Sequence, residues 1–151
     1  MTEVHNPTAA RKRRQDHQLE NAEDYVELIE EMQRRTGAAH AIDIANHLGI
    51  SHVTVHKTVK RLKAAGYVSA EPYRAISLTE SGLALARESR ERHEVTLAFL
   101  RALGASEETA LNDAEGIEHH VSPELLGRMK AFCAEMEANG AVTKHDLGTD
   151  E

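Results

Sequence analysis

The sequence has no tryptophan, and aromatic residues are few: three tyrosines and two phenylalanines in 151 residues. A core without large rings has to be built from Leu, Ile, Val, Met and Ala, a composition that favours helices over sheets. The single cysteine, Cys133, excludes an intrachain disulfide and a thiolate cage for a metal ion. We interpret Cys133 as a packing residue, because no basic partner lies beside it in the sequence.

Long hydrophobic runs are also missing. No stretch approaches the roughly 20 apolar residues that cross a bilayer, and the basic run Arg11–Arg14 has no apolar segment behind it. We therefore expect a cytoplasmic protein that does not contact membranes.

Positive charge is scarce, but it is unevenly spread. The net charge is −7, yet residues 1–74 carry 11 Lys/Arg against 10 Asp/Glu, which leaves residues 75–151 strongly acidic. This asymmetry predicts different roles for the two halves.

The basic half contains the pattern of a helix-turn-helix. Apolar residues at helical spacing predict a first helix near residues 21–35, a second over 41–48 that stops at Gly49, and a third that begins at the capping residue Ser51. Two strand-like segments, residues 67–70 and 75–78, then predict a β-hairpin wing. Such a unit places its last helix in the major groove of DNA.

The face of the third helix and the wing carry the candidate DNA contacts. Early residues of that helix are expected to read bases, and the later cations and the wing to bind phosphates. The predicted DNA-binding residues are Ser51, His52, Thr54, Lys57, Lys60, Arg61 and Arg74.

The acidic half holds the second candidate site. On a continuous helix, Glu115, Glu118 and His119 project from one face, where two carboxylates and an imidazole repel unless a cation joins them. Asp24 and Glu27 form a similar pair on the first helix, and His93 lies within a long helical stretch. All six are oxygen or nitrogen donors, which suit an octahedral ion such as Mn²⁺ or Fe²⁺ better than structural Zn²⁺. Their four negative charges would be neutralised by two divalent ions, so the hypothesis is a two-metal site.

These motifs occur in an order that resembles the diphtheria toxin repressor-type family of metalloregulators. The resemblance covers roughly Asp24 to Asn139 and rests on Asp24–Glu27, the winged helix-turn-helix, Arg92–His93 and Glu115–His120. It implies that the metal ligands are Asp24, Glu27, His93, Glu115, Glu118 and His119, which bind a pair of Mn²⁺ ions, with His120 as a neighbour that does not bind. Iron-sensing members carry methionine and cysteine where this chain has Asp24 and Glu115, and both departures favour manganese.

The resulting expectation is a mainly α protein with an N-terminal winged helix-turn-helix followed by an all-helical metal-binding and dimerisation domain. The predicted segments are a disordered basic arm (1–19), the DNA-binding domain (20–79), the helical domain (80–140) and a frayed tail (141–151). The resemblance implies a homodimer that binds double-stranded palindromic operator DNA and represses manganese-uptake genes. Metal would link the first helix to the acidic half, so that DNA affinity rises when the ion binds.

Other functions stay open at this point. A winged-helix regulator could respond to an organic ligand or to Fe²⁺, with the carboxylates as surface charge. An enzyme is disfavoured because Leu97 stands where the zinc-protease motif beginning at His93 needs a second histidine. No histidine has a glutamate three residues before it, as di-iron proteins need. We therefore expect no small-molecule substrate.

Overall fold

The protein is mainly helical, as its composition predicts. The structure, a computed structural model, describes the backbone of residues 7–140 and the side chains of His17 and residues 21–140. In chain order the elements are α1 (Pro7–Thr36), α2 (Ala41–Leu48), α3 (His52–Ala64), β1 (Val68–Ser69), β2 (Ser77–Leu78), α4 (Glu80–Ala102), α5 (Glu107–Ile117), a 3-10 turn (Glu118–His120) and α6 (Pro123–Ala138).

The first helix is longer than its apolar pattern indicates. α1 begins at Pro7 rather than near Asn21, so the arm predicted to be disordered over residues 1–19 is helical from Pro7 onward. Residues 8–20 contain no Gly or Pro and are rich in Ala, Arg and Gln, whose propensity extends a helix without an apolar stripe. Residues 1–6 and the tail predicted for 141–151 lie outside the described residues.

The helix-turn-helix forms as the turn residues predict. Gly49 ends α2 in the left-handed conformation, with φ of 65°, which costs glycine no steric strain. Ser51 then caps α3, because its side chain accepts a hydrogen bond from the backbone N–H of Thr54 at 3.2 Å. This tight connection sets the direction of α3.

The wing is shorter than predicted and has an unexpected third partner. β1 and β2 pair antiparallel with Val68 opposite Leu78. Ile76 also pairs with Ala39, which follows α1, and its N–H donates to the Ala39 carbonyl at 2.7 Å. The Gln33 side chain on α1 donates to the Ile76 carbonyl at 3.4 Å. The wing is therefore attached to the end of α1.

The chain divides into two compact units, Met1–Glu88 and Ser89–Glu151, with the division inside α4. In the first unit, α1 supplies Tyr25, Val26 and Ile29 to a core that also contains Val55 and Leu62 of α3. Burial of such side chains contributes roughly 1.5–3 kcal/mol each. α1 thus supports the buried face of α3, which is opposite the residues predicted to contact DNA.

The second unit is built from the end of α4, α5 and α6. Ser106 and Ser122 cap α5 and α6, because their side chains accept hydrogen bonds from the backbone N–H groups three residues later. The Phe99 and Phe132 rings meet edge to face with centroids 5.4 Å apart. Within residues 7–140, no helix combines the length and apolar character that crossing a membrane requires.

Candidate functional site

The seven residues predicted to contact DNA all lie exposed on α3, its cap and the wing. The opposite face of α3 is buried, with Val55, Val59 and Leu62 in the core. A helix held this way presents its polar side outward as a surface, which is the arrangement that lets a recognition helix enter the major groove.

Several of these side chains already have partners. The Ser51 hydroxyl lies 2.9 Å from the Thr54 hydroxyl and caps the helix, so its first role is to fix the start of α3. Arg61 donates from Nη2 to the Asn21 side-chain oxygen on α1 at 3.0 Å. The sequence gives no sign of the bond between Arg61 and Asn21, because the two residues are 40 positions apart.

A cleft of about 740 Å³ lies between α3 and the wing. Its walls include Lys60 and Lys63 from the helix and Tyr73 and Arg74 from the wing. Lys63 donates to the Ala70 carbonyl at 2.8 Å and so ties the helix to the end of β1. A basic cleft of this kind suits an anionic backbone such as that of DNA.

The predicted metal ligands of the first unit lie on α1. Asp24 is exposed and Glu27 is half-buried, and their spacing of three residues puts them on one side of the helix. Both residues make interactions within the protein.

In the second unit, Glu118 is the centre of the predicted group. Its side chain is only 7% exposed, and its Oε2 lies 2.5 Å from His93 Nδ1. Its other oxygen, Oε1, lies 3.6 Å from Nε2 of His119, whose side chain is 4% exposed. The structure thus brings two of the predicted ligands, His93 and His119, into contact with a third, the buried carboxylate of Glu118.

Glu115 is not part of that contact group. A shared face for Glu115 and Glu118 requires one continuous helix, but α5 ends at Ile117 and residues 118–120 form a 3-10 turn. As a result Glu115 is exposed while Glu118 is buried. Across residues 7–140, His, Cys, Asp and Glu side chains form no group of three or more that could hold a metal ion as it stands.

The chemistry around Glu118 nevertheless fits a divalent cation. A buried carboxylate is costly unless its charge is compensated, and the side chains in contact with it are the imidazoles of His93 and His119. Oxygen and nitrogen donors without sulfur are the set that Mn²⁺ accepts. The residues present are therefore compatible with such an ion.

Away from this group, Glu107 and Cys133 have shifted pKa values. The hydrogen bond from Arg101 Nε, 2.9 Å from a Glu107 oxygen, lowers the pKa of Glu107. Burial, followed by the nearby charge of Glu137, raises the pKa of Cys133, which keeps its thiol protonated and agrees with a packing role.

Comparison with known proteins assigns a family. Residues 17–76 match the N-terminal DNA-binding domain of iron-dependent repressors, and residues 79–144 match their metal-binding and dimerisation domain. Over 122 residues the chain is 47% identical to the transcriptional regulator MntR of Escherichia coli O6:H1, covering 81% of this chain and 79% of that protein. It is 36% identical to the HTH-type transcriptional regulator MntR of Bacillus subtilis strain 168, covering 81% and 86%.

Solved structures give the same result. A manganese-dependent transcriptional repressor in complex with manganese matches with a TM-score of 0.64 and 29% identity, covering 75% of this chain and 52% of that one. The manganese regulator SloR matches with a TM-score of 0.64 and 27% identity, covering 75% and 53%. This chain spans about half the length of these solved chains. The chain therefore belongs to the diphtheria toxin repressor-type family of metalloregulators and groups with its MntR-type members.

Proposed function

We propose that this protein is a manganese-responsive DNA-binding transcriptional repressor of manganese-uptake genes. The observation that carries the proposal is the 47% identity to an MntR regulator over a span that includes both the winged helix-turn-helix and the Glu118 group. The named relatives are transcriptional regulators, which supports a role without enzymatic activity. Such a regulator acts at the chromosome, so we place it in the cytoplasm.

The proposed DNA site is a palindromic duplex bound by a homodimer. The proposed base contacts come from the start of α3 and its cap, and the proposed phosphate contacts from later in α3 and from the wing. The base contacts are Ser51, His52, Thr54 and Lys57, and the phosphate contacts are Lys60, Arg61 and Arg74, all of which are exposed. Two recognition helices about 34 Å apart match successive major grooves on one side of the duplex. The match of residues 79–144 to a dimerisation domain supports the homodimer.

The proposed cofactor is Mn²⁺, two ions per subunit, with the six ligands named above. Bound Mn²⁺ supplies positive charge to carboxylates that otherwise repel one another. Among the proposed ligands, His93 and His119 contact the buried Glu118 of the second unit. Asp24 and Glu27 lie on α1 of the first unit, and the proposal that they share the metal site rests on the family resemblance. Ligands on α1 make the position of that helix depend on the ion, and α1 packs against α3 in the core. Reciprocity then requires that operator DNA raise Mn²⁺ affinity by the same factor.

The test is a DNA-binding titration of chelator-treated protein on the promoter region of its own gene. Mn²⁺, Fe²⁺ and Zn²⁺ are added separately at fixed salt, since phosphate contacts make affinity depend on salt. We expect Mn²⁺ to raise affinity by at least about tenfold, a coupling of roughly 1.4 kcal/mol.

Two variants sharpen this experiment. Glu118→Gln removes the buried carboxylate charge and is expected to abolish the response to Mn²⁺ while metal-free DNA binding persists. Glu124→Gln, on the exposed start of α6, is the matched control and should respond as the wild type does. A protein that binds DNA equally well with and without metal would contradict the proposal and favour an organic effector.

A further inference from the structure

A side-chain hydrogen bond joins α1 to the recognition helix. Nη2 of Arg61, exposed near the end of α3, donates to Oδ1 of Asn21 on α1 at 3.0 Å. Arg61 is one of the cations assigned to DNA phosphates, whereas Asn21 lies on the helix that also carries Asp24. The contact therefore connects a residue of the DNA-binding surface to the helix that bears two predicted metal ligands.

The packing of α1 explains why Asn21 reaches α3. Asn21, Tyr25 and Leu28 are spaced at four and three residues, so they share one face of the helix. Tyr25 and Leu28 are buried in the core that α1 shares with α3, while Asn21 is half-buried at its edge. The apolar contacts of Tyr25 and Leu28 thus fix the position of the Asn21 carboxamide.

The other end of α1 contacts the wing. Gln33 donates to the Ile76 carbonyl, and Ile76 pairs with Ala39 just beyond the helix. One helix consequently touches both elements of the DNA-binding surface: α3 through Asn21 and the wing through Gln33.

The geometry of arginine makes the Asn21 contact useful. A guanidinium has five N–H donors, and the bond to Asn21 engages Nη2, which leaves other donors for a phosphate. An arginine that is already oriented loses less conformational freedom when it binds. We propose that Asn21 is a positioning residue, which orients Arg61 for a DNA phosphate and so makes DNA affinity depend on the position of α1. This rests on the proposed function, because the phosphate belongs to the operator DNA.

A double-mutant cycle tests the proposal in the full-length protein. Asn21→Ala, Arg61→Ala and the double variant are titrated with the promoter fragment at several salt concentrations, with Mn²⁺ and with chelator. Loss of one phosphate contact reduces the salt slope by about 0.9 and affinity by about eightfold at 0.1 M salt, per subunit. We expect that loss for Arg61→Ala, a loss of roughly threefold for Asn21→Ala, and no further loss in the double variant.

Four controls separate a positioning role of Asn21 from a general loss of structure. Asn21→Gln keeps the carboxamide and is expected to recover most of the affinity, and thermal melting shows which variants fold. Arg35→Ala removes an exposed α1 arginine paired with Glu31 and should leave DNA affinity near that of the wild type. Asn21→Ala should leave the Mn²⁺ affinity of the DNA-free protein unchanged, but it should lower the factor by which Mn²⁺ raises DNA affinity.

The outcomes distinguish this proposal from the proposed function. Additive losses in the cycle, or wild-type affinity and salt slope for Asn21→Ala, would overturn the positioning role even if Mn²⁺ activates DNA binding. If instead wild-type DNA binding ignores Mn²⁺, the manganese response fails, and the cycle measured in chelator still decides the role of Asn21. A wild-type protein that does not bind DNA would overturn both.

Discussion

Gly82 occupies a position where no side chain fits. It lies buried in the first turns of α4, and a Cβ built on it would stand 2.1 Å from the backbone oxygen of Tyr67 and 3.2 Å from Leu78 Cδ2. Around it, Thr79 accepts a hydrogen bond from the Gly82 N–H at 3.1 Å and donates to the Gly66 carbonyl at 2.6 Å. These contacts hold the start of α4 against Leu78 of β2 and against Gly66 and Tyr67, which precede β1.

The substitution Gly82→Ala therefore has a cost that can be estimated. To reach even 3.0 Å from the added Cβ, the Tyr67 carbonyl oxygen must move by about 0.9 Å. This oxygen belongs to the backbone, so it cannot move as freely as the end of a flexible side chain. Overpacking of this kind costs roughly 1–3 kcal/mol, of which we take the upper end, while alanine in a helix returns about 1 kcal/mol. The net loss of about 2 kcal/mol corresponds to a fall in Tm of roughly 4–8 °C.

Gly127→Ala on α6 is the matched control, because nothing lies within 4 Å of its built Cβ. The same substitution should there raise Tm by roughly 2–4 °C. Thermal unfolding followed by circular dichroism measures both variants, and DNA titration of Gly82→Ala should show weaker binding because the wing is displaced. Equal or higher Tm for Gly82→Ala than for the wild type would refute the packing argument.

Three further predictions concern titratable side chains. Mn²⁺ at about 100 times its Kd should stabilise the wild type by roughly 2.7 kcal/mol, which raises Tm by roughly 5–11 °C. Glu118→Gln should lose this increase in Tm, and the exposed control Glu137→Gln should keep it. Cys133 should react with iodoacetamide more slowly than free cysteine at neutral pH, because burial and the Glu137 charge raise its pKa, and alkylation monitored by mass spectrometry should accelerate as the pH rises. The hydrogen bond from Arg101 lowers the pKa of Glu107 in the folded protein. The ionised Glu107 therefore stabilises the fold above the ordinary carboxyl pKa, and this stabilisation is lost as the pH falls through the lowered pKa of the folded state. Urea midpoints across the acid range should therefore vary less in Glu107→Gln, and an unchanged profile would contradict this assignment.

The helix-turn-helix could be predicted because its signals are local. Gly49 must take a positive φ, Ser51 caps the next helix, and the apolar stripe of α3 repeats at helical spacing. The first turns of α1 were missed for the opposite reason. Residues 7–20 have strong helix propensity but no apolar stripe, so periodicity gives no signal there.

Contacts between residues that are distant along the chain could not be predicted from local sequence patterns. The pairing of Ala39 with Ile76 involves one residue on each side, too short for an alternating pattern. At the candidate metal centre, the spacing of Glu115 and Glu118 predicts a shared face only if α5 continues, and it ends at Ile117. The turn that follows decides that Glu118 is buried and Glu115 exposed, which helix spacing does not predict.

The length of α1 shows how a small displacement could change DNA affinity. Asn21 and Gln33 lie about 18 Å apart along a helix that rises 1.5 Å per residue. A tilt of about 5° around the midpoint moves each by roughly 0.8 Å, in opposite directions. When that movement is directed along the bond between Arg61 and Asn21, the 3.0 Å donor–acceptor distance increases beyond 3.5 Å, and the hydrogen bond is lost. A ligand that fixes α1 can therefore strengthen the attachment of both α3 and the wing while the helices themselves keep their structure.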